Sequence, residues 1–315
     1  MLLHIGYAKA ASTWTQGIFA QDGSGFYYLY DDDPGFVNET VVFPNQFQFD
    51  ADEARTALMD GVNQNKAESQ ELVIANERLS GHWYTGGYDQ KTIADRLSEV
   101  LPKAKVLIVI REQGSMLNSV YRQYIKKGGF RSPAEFFLPN ESYSEDKRYV
   151  SGFNRGPSFS FEMFKYHNII EYYYKQFGPE NVCTIPLEVL KRDAHRYADE
   201  IFEFADVTPD RSFDLDTKQA NVGIEAFQTP IRRYLNVCRK KDYINDYSPY
   251  STSKTRWIAG SIVRRLELLP TKIKQKLGTR VDEAISEIAA ERFAESNQKT
   301  NKLVSYNLED LGYEL

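Results

Sequence analysis

The chain has 315 residues, 42% of them hydrophobic and 26% charged, enough to bury a sizeable core and too apolar for a disordered chain. Its net charge of −5 argues against a general nucleic-acid binder while allowing a local basic pocket. The two cysteines, Cys183 and Cys238, stand far apart and outside any Cys/His cluster, so neither a zinc site nor a disulfide framework is implied, and both read as reduced structural thiols. The first residues lack a charged n-region and an apolar h-region, and no apolar run approaches the ~18 residues of a membrane span. A soluble, cytoplasmic protein with at most peripheral membrane contact is the expectation.

Leu2 to Ile5 predict a short buried strand, Gly6 to Ala11 form a run of small residues broken by Lys9, and Ser12 and Thr13 stand where a helix begins. Trp14, Ile18 and Phe19 carry that helix's apolar stripe. A strand, a small-residue loop and a helix start make a phosphate cradle: amides point inward, the helix N-terminus adds partial positive charge, and Lys9 adds a full one. Gly25–Tyr30 reads as a second strand and residues 31–50 as a loop. Ala51–Lys66 has helical spacing. Leu72–Ala75 is a buried strand that runs into Asn76-Glu77-Arg78-Leu79-Ser80-Gly81-His82, and Thr92–Leu101 is a helix stopped by Pro102.

Lys105–Ile110 is the strongest strand signal, a continuous β-branched run ending at Arg111, with a helix from about Ser115 to Lys127 behind it. Alternating strands and helices predict an α/β fold, a P-loop-like central parallel sheet flanked by helices. Lys9, Glu77 and Arg111 then fall just past strand carboxyl ends, where such sheets bind ligands. Residues 130–160, with Pro133, Pro139 and Pro157, read as a long irregular segment able to shape a site. Phe161–Phe177 predicts a Tyr-rich helix, Asn181–Ile185 a strand and Ala194–Ala205 a helix. From Ile224 the chain reads as helical only: Ile224–Arg239, Lys254–Leu268 and Val281–Ser296. The expected organisation is one domain over 1–315, with an α/β core to about residue 220 and a helical C-terminal part after it.

The first loop is not a GxxxxGK[ST] sequence, because Lys9 lies three positions before Ser12. Tyr7-Ala8-Lys9-Ala10-Ala11-Ser12-Thr13-Trp14 instead resembles the 5′-phosphosulfate loop Y-P-K-[ST]-G-[ST]-[ST]-W of sulfotransferases that use 3′-phosphoadenosine-5′-phosphosulfate (PAPS). Tyr7, Lys9, Ser12, Thr13 and Trp14 match. Ala8 replaces Pro, Ala10 replaces a hydroxyl residue, and Ala11 replaces a Gly whose backbone freedom Ala lacks. That family binds the 3′-phosphate with an Arg at a strand end and a Ser eight residues on, the spacing of Arg111 and Ser119 here. The words Val109-Ile110-Arg111-Glu112-Gln113 and Ser119-Val120-Tyr121-Arg122-Gln123-Tyr124 are similar to the VIREP…SAYRQY of bacterial members, with Gln113 in place of Pro. Phe177-Gly178-Pro179-Glu180-Asn181-Val182 and Ile185-Pro186-Leu187-Glu188-Val189-Leu190 resemble a further family segment, with Leu187 where many members have Tyr. The C-terminal words Glu295-Ser296-Asn297 and Leu311-Gly312-Tyr313 also resemble bacterial members. The likeness covers most of the chain, residues 31–70 and 130–160 excepted.

The resemblance implies sulfuryl transfer from PAPS to a hydroxyl or amine, leaving adenosine 3′,5′-bisphosphate (PAP), with no metal. It assigns Lys9 to the bridging oxygen. Residues 9–14 (Lys9, Ala10, Ala11, Ser12, Thr13 and Trp14) go to the 5′-phosphosulfate, and Arg111 and Ser119 to the 3′-phosphate. Glu77 lies where carbohydrate sulfotransferases carry their catalytic carboxylate, and His82 is the competing base. Asn76–Gly81 resembles bacterial members of that type. With Trp83 and Tyr84 beside it, able to stack on a sugar ring, this leans toward a carbohydrate or glycolipid acceptor. His4 reads as a satisfied core residue, and His167 and His195 as helix residues without an evident partner. Lys254–Arg280 is basic and reads as a solvated face, with an anionic glycan or a membrane surface as the sharper options. A non-catalytic PAPS-binding protein on the same fold and a P-loop-type kinase are the alternatives. The kinase would need a GK[ST] loop and a strand-end Asp for Mg²⁺, and neither is evident.

Overall fold

The computed structural model describes residues 1–29, 33–60, 62, 69–138, 159–211, 213–215, 225–240, 242, 244–245 and 248–315. Contacts group the chain into two compact units, Met1–Glu112 with Ser160–Asn221 and Phe293–Leu315, and Gln113–Phe159 with Val222–Arg292.

The first unit is built on a five-stranded parallel sheet: β1 (Leu2–Gly6), β2 (Phe26–Leu29), β3 (Glu71–Ala75), β4 (Lys105–Ile110) and β5 (Val182–Pro186), in the order β2-β3-β1-β4-β5. All of β1 and Val106 to Ile110 of β4 are buried, as strands covered on both faces require. The fold is α/β with helices flanking a central parallel sheet of P-loop-like strand order. β3, β1 and β4 are neighbours, so Glu77, Lys9 and Arg111 follow three adjacent strands at their carboxyl ends.

The elements differ from the sequence expectation where tertiary contacts override local pattern. Within residues 31–50 a helix forms at Pro34–Val37 and continues as a π-helical turn, Asn38–Val42. Proline at the helix start presets its backbone. The buried Arg96 guanidinium donates to the carbonyls of Val41 (2.7 Å), Val42 (3.1 Å) and Pro44 (2.8 Å), which closes the turn. The Tyr-rich helix divides at Lys165 into a 3₁₀ turn, Phe161–Phe164, and a helix, Tyr166–Phe177. The Tyr7 hydroxyl takes the Met163 carbonyl at 2.9 Å and so withdraws it from a continuous helical ladder. The last long helix runs over Thr271–Ala289 and ends before Glu291, whose φ of 60° turns the chain into a separate helix, Ala294–Asn301. The helix from Ala51 is described to Asp60; residues 63–66, Tyr30, Pro139, Pro157 and Ile224 lie outside the described residues.

The second unit is helical: Gln113–Lys127, Pro133–Phe137, Gln228–Leu235, Ser253–Arg265 and Thr271–Ala289. Pro133 therefore starts a short helix inside the segment expected to be irregular, held by a Ser132–Glu135 capping box. Arg122 forks onto Asp282 at 2.7 and 3.0 Å, and the Asn236 amide donates to Ile125 and Gly129 carbonyls at 2.9 and 2.6 Å. Cys183 and Cys238 are free, and burial pushes the Cys183 thiol up to about 12. No helix among the described residues is long and apolar enough to cross a membrane.

Two histidines depart from expectation. His167 has a partner: its Nδ1 lies 2.8 Å from the Ser296 hydroxyl, a contact made across a large sequence separation and so invisible to local pattern. His4 is not satisfied. It is fully buried in β1 against the Phe19 ring, and neither ring nitrogen has a hydrogen-bond partner among the described residues. Burial lowers its pKa from 6.5 to about 3. The folded state thus holds the imidazole neutral while the unfolded chain protonates it below its ordinary value, so this contribution is whole above about pH 6.5 and is lost as pH falls toward 3. Between pH 7 and 4 wild type is expected to lose about 3 kcal/mol more stability than His4→Leu in urea titrations. The same loss in both proteins would contradict a neutral, unpaired His4.

Candidate functional site

The loop after β1 is shaped by backbone rather than by side-chain caps. Gly6 has φ +99°, and a Cβ there would stand 3.1 Å from the Glu77 Cα and 3.1 Å from the Ala8 amide nitrogen, so only glycine lets the Glu77 backbone approach β1 this closely. Lys9 (φ 68°) and Ala11 (φ 59°) both take left-handed conformations. The helix Ser12–Ala20 begins immediately after Ala11, with no side-chain cap. The Ala10 amide donates to the Tyr7 carbonyl at 3.1 Å and the Trp14 and Thr15 amides to the Ala11 carbonyl at 2.9 and 3.0 Å, while the amides that open the helix before them have no intrahelical acceptors. Left-handed residues beside ordinary ones favour a backbone concavity suited to an anion. The loop takes this shape without the glycine that the resemblance implies at position 11.

Ala11 meets the requirement directly, by adopting the conformation at a cost of roughly 1–2 kcal/mol relative to an unstrained residue. Ala11→Gly is therefore expected to raise the urea midpoint by an amount equivalent to about 0.5–1 kcal/mol, the strain relieved less glycine's extra entropy loss. A lowered midpoint would contradict the left-handed helix start.

Three contacts assemble the rim. The Arg111 Nη1 donates to the Lys9 carbonyl at 2.8 Å, which ties the β4 end to the loop. The Ser12 hydroxyl donates to the Glu77 carboxylate (Oε2) at 2.6 Å, so the carboxylate sits at the first turn of the loop's helix. The Tyr7 amide donates to the Val109 carbonyl at 2.8 Å. Lys9, Ser12, Glu77 and Arg111 thus stand together, drawn from three adjacent strands. Ala10 is fully buried, the Thr13 side chain is exposed, and the Trp14 ring packs edge-on against Tyr197 at 5.6 Å.

His82 belongs to a different local network. Its amide donates to Asp89 at 3.1 Å, its Nδ1 lies 3.2 Å from the Thr85 hydroxyl, and Asp89 also pairs with Arg78. Burial, and then the Arg78 charge, lower its pKa against the opposing pull of Asp89. No hydrogen bond among the described residues joins His82 to the Lys9 loop. Trp83 and Tyr84 follow it with their rings stacked on one another. Ser119 lies half-buried on the helix Gln113–Lys127 of the second unit.

Sequence reasoning missed the residues that hold this rim from behind. The Tyr166 hydroxyl donates to the Arg111 carbonyl at 2.6 Å, and its ring meets that of Tyr7 edge-on at 5.1 Å. The Gln90 amide donates both to the Tyr7 hydroxyl (3.2 Å) and to the Ser80 carbonyl (2.9 Å), linking the loop to the turn that carries Glu77. The buried Glu188 accepts from the Tyr313 hydroxyl at 3.1 Å and from the Glu112 amide at 3.4 Å. Glu112, Glu188 and Tyr313 lie in segments that carry the resemblance, and Tyr166 stands at the start of one, but nothing in spacing or residue type gives any of them, or Gln90, this supporting role.

Fold and rim together describe an α/β protein whose β1–helix loop, Glu77 and Arg111 meet at the carboxyl edge of its sheet. No model of a known protein family matches the chain, and no curated protein matches it. Among solved structures it is similar to a sulfotransferase from Alicyclobacillus acidocaldarius, with 17% identity, 70% of this chain and 85% of that one covered, and a TM-score of 0.48. It is also similar to a mouse sulfotransferase, SULT7A1, complexed with PAP, with 10% identity, 96% and 88% covered, and a TM-score of 0.34. Among the described residues no group of three or more His, Cys, Asp or Glu could hold a metal ion.

Proposed function

We propose that this protein is a sulfotransferase that moves a sulfuryl group from PAPS to an acceptor hydroxyl or amine, with a glycan or glycolipid as the acceptor class. The observation that carries the reading is the 2.6 Å bond from Ser12 to Glu77, which puts a carboxylate at the start of an uncapped, lysine-bearing anion loop. A carboxylate at that position supplies a transferase with a group able to take the acceptor's proton.

In this reading the loop amides, Ser12 and Thr13 hold the 5′-phosphosulfate, with Ala10, Ala11 and Trp14 shaping the segment, and Arg111 and Ser119 take the 3′-phosphate. The acceptor oxygen or nitrogen forms a new bond to sulfur as the bond from sulfur to the bridging oxygen breaks. The acceptor's proton passes to Glu77, and the negative charge left on the bridging oxygen is stabilised by Lys9. Trp83 and Tyr84, two and three residues beyond Gly81, offer apolar faces to a sugar ring.

A transfer assay with sulfur-labelled PAPS and a panel of sugars, glycolipids and phenols tests the proposal. Label is expected in a sugar-bearing acceptor. The buried Ala10, which lacks the hydroxyl expected at its position, favours one second reading, a PAPS-binding protein without turnover. PAP binding with no transfer to any acceptor would establish that reading instead.

A further inference from the structure

The second unit carries an exposed surface that the proposed chemistry does not use. The helix Ser253–Arg265 starts at a Thr252–Thr255 capping box and buries Ala259, with Leu266 buried just beyond its end. An arc beside that buried line, read at the helical period, holds Lys254, Trp257, Ile258, Ser261, Ile262 and Arg265. Trp257 is 70% exposed, Ile258 42% and Ile262 39%. Leu268 follows at 81%, and Ile273, at 47%, lies among the exposed Lys272 and Lys276 on the next helix. Scattered single apolar residues on a surface need no explanation, but Trp257, Ile258 and Ile262 share one helix arc and the exposed Leu268 and Ile273 follow close behind them in the chain, a concentration that suggests an interaction surface.

Charge says what the face meets. From Lys254 to Arg280 the sequence has eight cations and one acid, in a chain whose net charge is −5. Arg256 and Arg264 bond neighbouring serine hydroxyls and, among the described residues, no carboxylate, and the Lys274 ammonium lies over the Phe227 ring at 4.8 Å. A second copy of this chain would bring cation against cation across a two-fold contact, which costs free energy. A nucleic acid would leave the tryptophan and the aliphatic side chains unused. A lipid surface with anionic headgroups satisfies both components: the indole and aliphatic side chains enter the headgroup–acyl boundary, and the lysines and arginines meet lipid phosphates.

We propose that the exposed arc of Ser253–Arg265, with Leu268 and the first turns of Thr271–Ala289, docks this protein peripherally on an anionic lipid bilayer. The docking is independent of the reaction proposed above. Co-sedimentation of the full chain with phosphatidylcholine vesicles, with and without phosphatidylglycerol, tests it. Binding is expected only to the anionic vesicles and is expected to weaken as salt is raised. The double variant Trp257→Ser/Ile262→Ser is expected to bind at least about tenfold more weakly. Lys272→Glu/Lys276→Glu is expected to lose a similar factor and most of the salt dependence. Both variants are expected to keep the wild-type urea midpoint, since the altered side chains are exposed. No binding to anionic vesicles, equal binding to neutral ones, or wild-type binding by the Trp257/Ile262 variant would overturn the proposal. So would a concentration-dependent dimer that the same variant abolishes in a protein that ignores vesicles.

Discussion

Glu77→Gln is expected to lower turnover by about 10³ while leaving donor affinity within a few-fold of wild type. The glutamine keeps the size of the side chain and a carbonyl oxygen that still accepts from Ser12, so the loop's geometry is retained. What it loses is the capacity to take the acceptor's proton, which falls on the transition state rather than on donor binding. His82→Asn is expected to change turnover only a few-fold, because His82 is held by Asp89 and Thr85 and has no bond to the Lys9 loop among the described residues. Steady-state kinetics with PAPS and an identified acceptor measure both. Wild-type turnover in Glu77→Gln with collapse in His82→Asn would transfer the base role to the histidine.

Arg111→Ala is expected to weaken PAP binding by about 10², the scale of one or two charge-assisted hydrogen bonds to a phosphate. Two effects combine in this variant. The guanidinium's charge at the β4 end is removed, and so is the 2.8 Å bond that steadies the Lys9 carbonyl in a left-handed loop. Arg111→Lys separates them: it restores a charge but not the planar fork, and is expected to recover only part of the affinity. Titration calorimetry with PAP reads both variants, and unchanged affinity in Arg111→Ala would remove Arg111 from the site.

How much of the fold and site is legible in the sequence depends on how far apart the cooperating residues lie. The sheet is readable because β1, β3 and β4 are short apolar runs, β1 ending at a glycine and β3 and β4 directly before Asn76 and Arg111, and because helical periods separate them. Those endings alone put Lys9, Glu77 and Arg111 on one edge, and the strand order β3-β1-β4 makes them neighbours. The loop's shape is less legible. Ala at position 11 argues against a positive φ, yet Ala11 takes φ 59°, since the turn from β1 into the helix overrides a local preference of about one or two kcal/mol. The support of the rim is not legible at all. Gln90 reaches Tyr7 across 83 residues and Tyr166 reaches Arg111 across 55, and no periodicity encodes such pairs. The same holds for the break at Lys165 and for the Ser296 partner of His167: both arise from contacts with distant segments, while pattern reading sees only neighbours.

The most direct test of PAPS as the donor compares two ligands that differ by one group. If the two proposed phosphate sites exist, one in the Lys9 loop and one at Arg111, PAP is expected to bind far better than adenosine 5′-monophosphate, which lacks the 3′-phosphate. By titration calorimetry the wild-type protein is expected to bind PAP at least about 100-fold more tightly. Equal affinity for the two nucleotides would contradict the second phosphate site and, with it, the assignment of PAPS as the donor.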